Sequence, residues 1–355
     1  MRTNYLEPAG IFLYNDRISS NLQKATVKLL YSHITGSIYR IDVPLPKSPL
    51  RNLNAYLIKG RDRSLLIDTG YRREECRAAL QSGLRELHVS MDDTDIFLTH
   101  MHSDHSGLAM DMAGRDSRIF ISREDGERLR WLYTTDSRDR QRAALRRGGV
   151  PEPVLKLVMA SPLIDYGCKN FADFTPVNAG DILEYGAHSL AALSVPGHSP
   201  GQLCLYDEHA AAMFLGDHVL FDISPNITCW NGFDDPLGAY VRSLTYIRAF
   251  DVAFPMPGHR GVSCGMRERI DAIIEHHAAR LREVLLKLGE RGRVTAYQLA
   301  GEMSWNMRGG WDRFPPDQQW FATGETIAHL DYLAARGEVD STEEDGVLYF
   351  ERKLS

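Results

Sequence analysis

Hydrophobic and polar positions change period several times along the chain, and each change marks an element. Residues 1–34 follow no clear period and read as an extension, or an extra helix, ahead of the fold. From Ile38 the alternation Ile38-Tyr39-Arg40-Ile41-Asp42-Val43 predicts a strand with one buried face. Short strands follow over 54–58 and 64–68, separated by Gly60 and charged residues. A helix is expected over about 73–87, and the apolar run Ile96-Phe97-Leu98 reads as a buried strand. Strands alternating with helices in this manner favour a layered α/β core.

Between 123 and 177 the pattern turns helical. Arg, Leu and Trp recur at helical spacing over 124–147, Gly148-Gly149-Val150-Pro151 interrupts, and a second helical stretch covers 154–160. This segment reads as a helical insertion that covers a site, with Trp131, Tyr133 and Tyr166 as candidate pocket lining or as packing within the insertion. Strands return at 189–195, 203–206, 212–215 and 252–255. Beyond Gly265 comes an amphipathic helix over 267–288, a short helix capped by Thr295 and running through Met303, and another over 324–336. Two short strands, Glu338-Val339-Asp340 and Val347-Leu348-Tyr349-Phe350, flank the turn Glu344-Asp345-Gly346. Three helices and a two-stranded wing describe a winged-helix module. The expected division is therefore 1–34 extension, 35–265 main domain and 266–355 winged-helix-like domain.

Composition narrows the function classes. A chain of 355 residues, 43% hydrophobic and 25% charged, suits a soluble protein of two domains with a sizeable core. The net charge of −6 offers no general attraction for nucleic acid or an anionic membrane. The tail from Met266 onward carries 12 Lys/Arg against 16 Asp/Glu, so its winged helix is expected to pack or dimerise rather than bind DNA. No apolar run reaches the ~18–20 residues of a membrane span, and none near Met1 has signal-peptide form, so the expected compartment is the cytoplasm. Five scattered cysteines without a CxxC pair suggest neither a disulfide framework nor a thiolate metal site. Any metal chemistry must come from histidine and carboxylate.

Those residues are concentrated. Thr99-His100-Met101-His102-Ser103-Asp104-His105 follows a buried strand and precedes a helix expected to open at Ser106. Four donors in six residues would be dispersed by a long helix or a strand, whereas a tight loop can converge them. Three histidines and an aspartate crowded without a metal would also repel on protonation. Further candidates stand at other strand ends: His198 in Pro196-Gly197-His198-Ser199-Pro200-Gly201, Asp217 in Gly216-Asp217-His218, and His259 in Pro257-Gly258-His259. Each alone is weak, since a Pro-Gly-His is commonly only a turn; the shared design gives them weight. The loop 221–226 after Asp217 reads either as a pocket border or as a simple connector.

With Asp68 in Ile67-Asp68-Thr69-Gly70, these motifs in this order resemble the metallo-β-lactamase superfamily, and within it the glyoxalase II-like hydrolases, over about 38–261. The tail resembles the winged-helix domain of the β-lactamase-like protein 2 branch. The resemblance implies an αββα sandwich with its site at one edge of the paired sheets, extended by the helical insertion. It implies that His100, His102 and His198 hold one metal, that Asp104, His105 and His259 hold a second, and that Asp217 bridges both. Asp68 would orient a ligand, and Asp104 or a metal-bound water would protonate the leaving group. His218 has no role in the family pattern. Two divalent ions are expected, zinc first, with iron and manganese suited to the same donors. Metals ~3.5–4 Å apart share a hydroxide that attacks a carbonyl or phosphoryl group. A small-molecule ester, thioester or lactone is the first substrate class. A mononuclear-iron persulfide dioxygenase and a ribonuclease are the competing enzyme readings, a binding protein on a reused fold the non-enzymatic one.

Overall fold

The computed structural model of the chain describes residues 31–353 apart from 133, 162–165, 170, 172 and 308. Residues 1–30 of the expected extension lie outside the described residues. Residues 31–34 differ from that expectation, because Tyr31–Thr35 forms strand β1 and pairs antiparallel with β2, Ile38–Pro44. The seven-stranded sheet continues in chain order through β3 (Asn52–Ile58), β4 (Ser64–Ile67), β5 (Thr94–Phe97), β6 (Ile119–Ser122) and β7 (Thr175–Val177). A five-stranded sheet holds β8 (Ile182–Tyr185), β9 (His188–Ser194), β10 (Leu203–Asp207), β11 (Ala212–Gly216) and β12 (Phe254–Pro257) in reverse spatial order.

The alternation of side chains sorts the core into layers. Leu65 and Ile67 of β4 face inward against Leu205, Ala212 and Phe214 of the other sheet, and their neighbour Leu66 faces outward. Outside the first sheet lies α1 (Glu74–Glu86), which contributes Cys76, Leu80 and Leu84. Outside the second lie α7 (Pro236–Ile247), unanticipated from sequence, and α8 (Met266–Arg291). With both faces covered, β4, β5 and β6 are buried at every position, and all but β5, which opens with Thr94 and Asp95, read as short, mainly apolar runs. The architecture is the αββα sandwich.

The insertion comprises α4 (Arg123–Leu132), α5 (Thr135–Arg147) and α6 (Glu152–Met159), and ends before 177 because 175–177 is a sheet strand. The helix expected over 124–147 is two helices, since the Thr134 hydroxyl accepts from the Ser137 amide and caps a new one. Leu145, Leu155 and Val158 pack against Tyr297 and Trp320, so α5 and α6 lean on the C-terminal unit. That unit contains α9 (Ala296–Ala300), α10 (Pro316–Ala335) and the strands β13 (Val294–Thr295), β14 (Val339–Glu344) and β15 (Val347–Arg352). The expected cap is present: Thr295 and Gln298 form a reciprocal capping box on α9. The two expected strands are joined by a third, with spatial order β13-β15-β14. α10 begins well ahead of the expected 324, with prolines at 315 and 316 at its start.

Candidate metal centre

Five strands deliver the site. β4 and β5 run parallel, as do β11 and β12, and β9 runs with β11 because both are antiparallel to β10. Asp68, His100, His198, Asp217 and His259 each follow the C-terminal end of one of these strands. The first motif is tighter than a loop: His102 is the N-cap of the one-turn helix α2 (Ser103–Ser106), which carries Asp104 and His105.

The candidate side chains converge in three overlapping groups, His100/His102/His198, His100/His105/Asp217 and Asp104/His105/His259, whose ligand-type atoms lie within 4.8 Å of one another in each. His102 Nδ1 is 3.0 Å from His100 Nε2 and 2.9 Å from His198 Nε2. Asp217 Oδ1 lies 3.2 Å from His105 Nε2 and 3.3 Å from His259 Nε2, while its Oδ2 lies 3.7 Å from His198 Nε2. Asp104 Oδ2 lies 3.3 Å from His259 Nε2. Asp217 thus stands between the two halves. The crowding reaches the backbone: a Cβ at Gly258 would sit 2.5 Å from Asp217 Oδ1 and 2.8 Å from His105 Cε1, so only glycine fits.

Outward hydrogen bonds fix the imidazoles. His198 Nδ1 donates to the Asn226 carbonyl and His259 Nδ1 to the Asn52 carbonyl, both at 2.8 Å. His105 Nδ1 donates to Asp68 Oδ2 at 2.7 Å. His100 Nδ1 donates to the Thr99 hydroxyl at 3.0 Å, and that hydroxyl donates to the same Asp68 oxygen at 2.8 Å. One carboxylate therefore braces a histidine in each half. Asp68 is held with a left-handed φ of 61° and touches His105 and Thr99 on their outward side, the place of a residue that would orient the candidate ligands. With Nδ1 as the outward donor, His100, His105, His198 and His259 all turn Nε2 inward, the orientation that metal-binding histidines require.

Charge divides between the halves. Burial, then neighbouring imidazoles, pushes His100 down, and the same causes lower His102 to about 3, so this half is neutral. In the other half burial opposes protonation of His259, but Asp217 and Asp104 outweigh it and raise it to about 10. His105 is raised for the same reason, by Asp217 and Asp68. Burial likewise disfavours the Asp217 carboxylate, yet His259 and His105 hold it well below the usual range. Neutral imidazoles clustered beside carboxylates that draw in positive charge are the donor set of divalent cations. The residues fit the metals that the fold implies.

Sequence reasoning missed Asp125. Buried in the first turn of α4, it accepts from the Met101 amide at 3.1 Å, the Ser199 hydroxyl at 2.5 Å and the Gly201 amide at 2.7 Å. Burial pushes its carboxyl up to about 6. It ties the first histidine motif to the loop bearing His198. Trp230 was also missed: its indole N–H donates to the His198 carbonyl at 3.2 Å and its ring lies 5.6 Å from that of His102. Of the expected lining, Trp131 bonds within the insertion to Asp136, and Tyr133 lies outside the described residues. Tyr166 packs on Tyr71, whose hydroxyl is pushed up by burial with Asp104 nearby. His218 is a core residue set edge-on against Tyr240 and lowered to about 3 by burial.

Known proteins are similar to this chain. A protein of Bacillus subtilis (strain 168), named probable metallo-hydrolase YqjP, is 26% identical over 338 residues, covering 89% of this chain and 98% of its own. An atrochrysone carboxyl ACP thioesterase of Emericella nidulans is 22% identical over 279 residues, covering 79% of this chain and 73% of its own. The crystal structure of a metallo-beta-lactamase family protein from Thermus thermophilus superimposes with a TM-score of 0.76 at 28% identity, over 89% of this chain and 99% of that one. Residues 312–353 match the metallo-beta-lactamase-like C-terminal domain. Residues 49–259, the stretch from the second hairpin to the last candidate ligand, match the metallo-beta-lactamase superfamily, and the chain belongs to that family.

Proposed function

We propose that the chain is a hydrolase of small-molecule esters, thioesters or lactones that works with two divalent cations. The observation that carries this reading is the position of Asp217, whose two oxygens address histidines of both halves. His100, His102 and His198 would hold one ion, Asp104, His105 and His259 the other, and Asp217 both. Bound there, the ions supply a hydroxide at neutral pH and polarise the electrophilic oxygen. Asp104 is held ionised at about 2: burial works against the charge, but His105 and His259 outweigh it. As an ionised carboxylate it suits a cation; it would protonate the leaving group only after first taking a proton from the attacking water, a metal-bound water being the other donor. The thioesterase relative supports the thioester class. A winged-helix reading of the C-terminal unit rests on its capped helix α9, the helices beside it and its three-stranded sheet, with packing as its role. Among the described residues no helix is long and apolar enough to cross a membrane.

Metal analysis of the full chain, alongside a panel of thioesters and lactones, tests the proposal. Two equivalents of metal are expected, with hydrolysis reduced at least about 100-fold in His102→Ala and Asp217→Ala. A single iron with oxygen consumed on a persulfide would replace it with the dioxygenase reading. A chain that binds no metal after reconstitution would end both.

A further inference from the structure

The loop after Asp217 joins the metal centre to the C-terminal unit. Asn226 supplies the carbonyl that accepts from His198 Nδ1 at 2.8 Å. Its side-chain amide donates to Glu325 Oε2 at 3.0 Å and to the Phe321 carbonyl at 3.4 Å, both on α10. The approach is close: a Cβ added at Gly324 would collide with the Thr228 hydroxyl, so glycine is needed where the helix crosses the loop. Ile227, next to Asn226, is fully buried in the same cluster as Ala328 of α10. Two residues beyond Thr228, Trp230 donates to the His198 carbonyl.

Glu325 belongs in this contact for a reason other than packing. Its carboxyl is largely enclosed, with 13% of the side chain exposed, and its nearest cation is Arg280, whose Nε lies 3.9 Å away. That contact is long for a charge-assisted hydrogen bond. The Asn226 amide is its short partner. Burying a carboxylate for one amide is costly if stability alone is at stake. It does fix the rotation of Asn226, and with it the direction of the carbonyl beside His198.

We infer that Glu325 is a positioning residue for the metal centre, holding through Asn226 the tautomer and ring orientation of His198. The C-terminal unit is then a wall of the site rather than an appended module. The inference rests on reading His198 as a ligand, but its first test does not need metal. In metal-free full-length protein labelled with ¹⁵N-histidine, His198 should show a single Nδ1–H tautomer. Glu325→Ala and Asn226→Ala should each convert it to a tautomer mixture. Glu325→Gln keeps an acceptor for Asn226 and should retain the wild-type signal. An unchanged His198 spectrum in Glu325→Ala overturns the inference whatever the protein hydrolyses.

The second readout is Zn²⁺ affinity by chelator competition. A loss of about ten-fold is expected in Glu325→Ala, the size found for partners that orient metal-binding histidines. The Glu325→Ala/Asn226→Ala double variant should lose no more than either single one, since both break one chain of contacts. Full additivity, or a loss in Glu325→Gln equal to that in Glu325→Ala, would count against it. If wild type showed the fixed tautomer yet bound no Zn²⁺, the hydrolase reading would fail while the positioning role stood.

Discussion

Asp125 shows how one side chain can set the spacing of two ligand loops. Its oxygens accept from two backbone amides and a hydroxyl that belong to different loops, and none of these donors can reach water in its place. Asp125→Ala would leave those donors buried and unpaired, at about 1–3 kcal/mol for each group that fails to relax. Asp125→Asn would turn one amide nitrogen toward groups that are themselves donors. Both variants should melt earlier in urea, by at least about 2 kcal/mol, and bind Zn²⁺ about ten-fold more weakly. An Asp125→Ala protein with wild-type stability and Zn²⁺ affinity would refute the role. The candidate ligands were legible from sequence because His and Asp recur at strand ends beside Gly and Pro. Asp125 was not, because Glu124-Asp125 among arginines looks like a solvated helix face. Its function depends on partners far along the chain.

At the scale of elements, local periodicity read the strands well and the loops poorly. β9, β10 and β11 fell within a residue or two of expectation, since their alternating or continuous apolar runs report the faces they bury. α7 was missed: its signal is Asp235, whose side chain caps it by accepting from the Gly238 amide, followed by Pro236 at N1. That signal lies in the stretch between the loop 221–226 and the strand expected at 252–255, to which no element was assigned. Asp95 is a further case, a polar residue within the fully buried β5. It accepts from Arg63 at 2.8 Å, from Arg118 at 2.6 Å and from the Tyr185 hydroxyl of the other sheet at 2.6 Å. The clasp thus spans both sheets. Burial opposes its charge, but these partners outweigh burial and hold its carboxyl well below the usual range. A depressed folded pKa gives stability that is complete above the unfolded value of about 3.9 and is lost as pH falls below it. Asp95→Asn should cost about 2 kcal/mol at pH 7, discounted because both guanidinium partners reach solvent. The gap from wild type should narrow toward pH 3, as urea melts at the two pH values would show. A gap of equal size at both would rule out an ionic origin.

For the whole molecule, the expected division into a main domain and a C-terminal domain follows the order of the chain but not the packing of the core. α8 begins after the last candidate ligand, yet its Met266, Ile270 and Ile273 are buried with Val195 and Leu215 on the second sheet's outer side and with Tyr240 of α7. Without α8 that layer of the sandwich is incomplete. Burial of those three side chains is worth roughly 5–9 kcal/mol, comparable to the entire stability of an ordinary domain. α10 adds Ala328 to the same cluster, and the insertion rests on the tail through Leu145, Leu155 and Val158. The two parts should therefore unfold together. Full-length protein is expected to show one transition in urea, with tryptophan fluorescence and far-ultraviolet circular dichroism coinciding. A chain ended at Gly265 should give no cooperative transition and should expose apolar surface that binds a hydrophobic dye. A truncated chain that folded cooperatively and held Zn²⁺ as tightly as the full one would show instead that the sandwich stands alone. The tail would then contribute neither to the core nor to the orientation of His198.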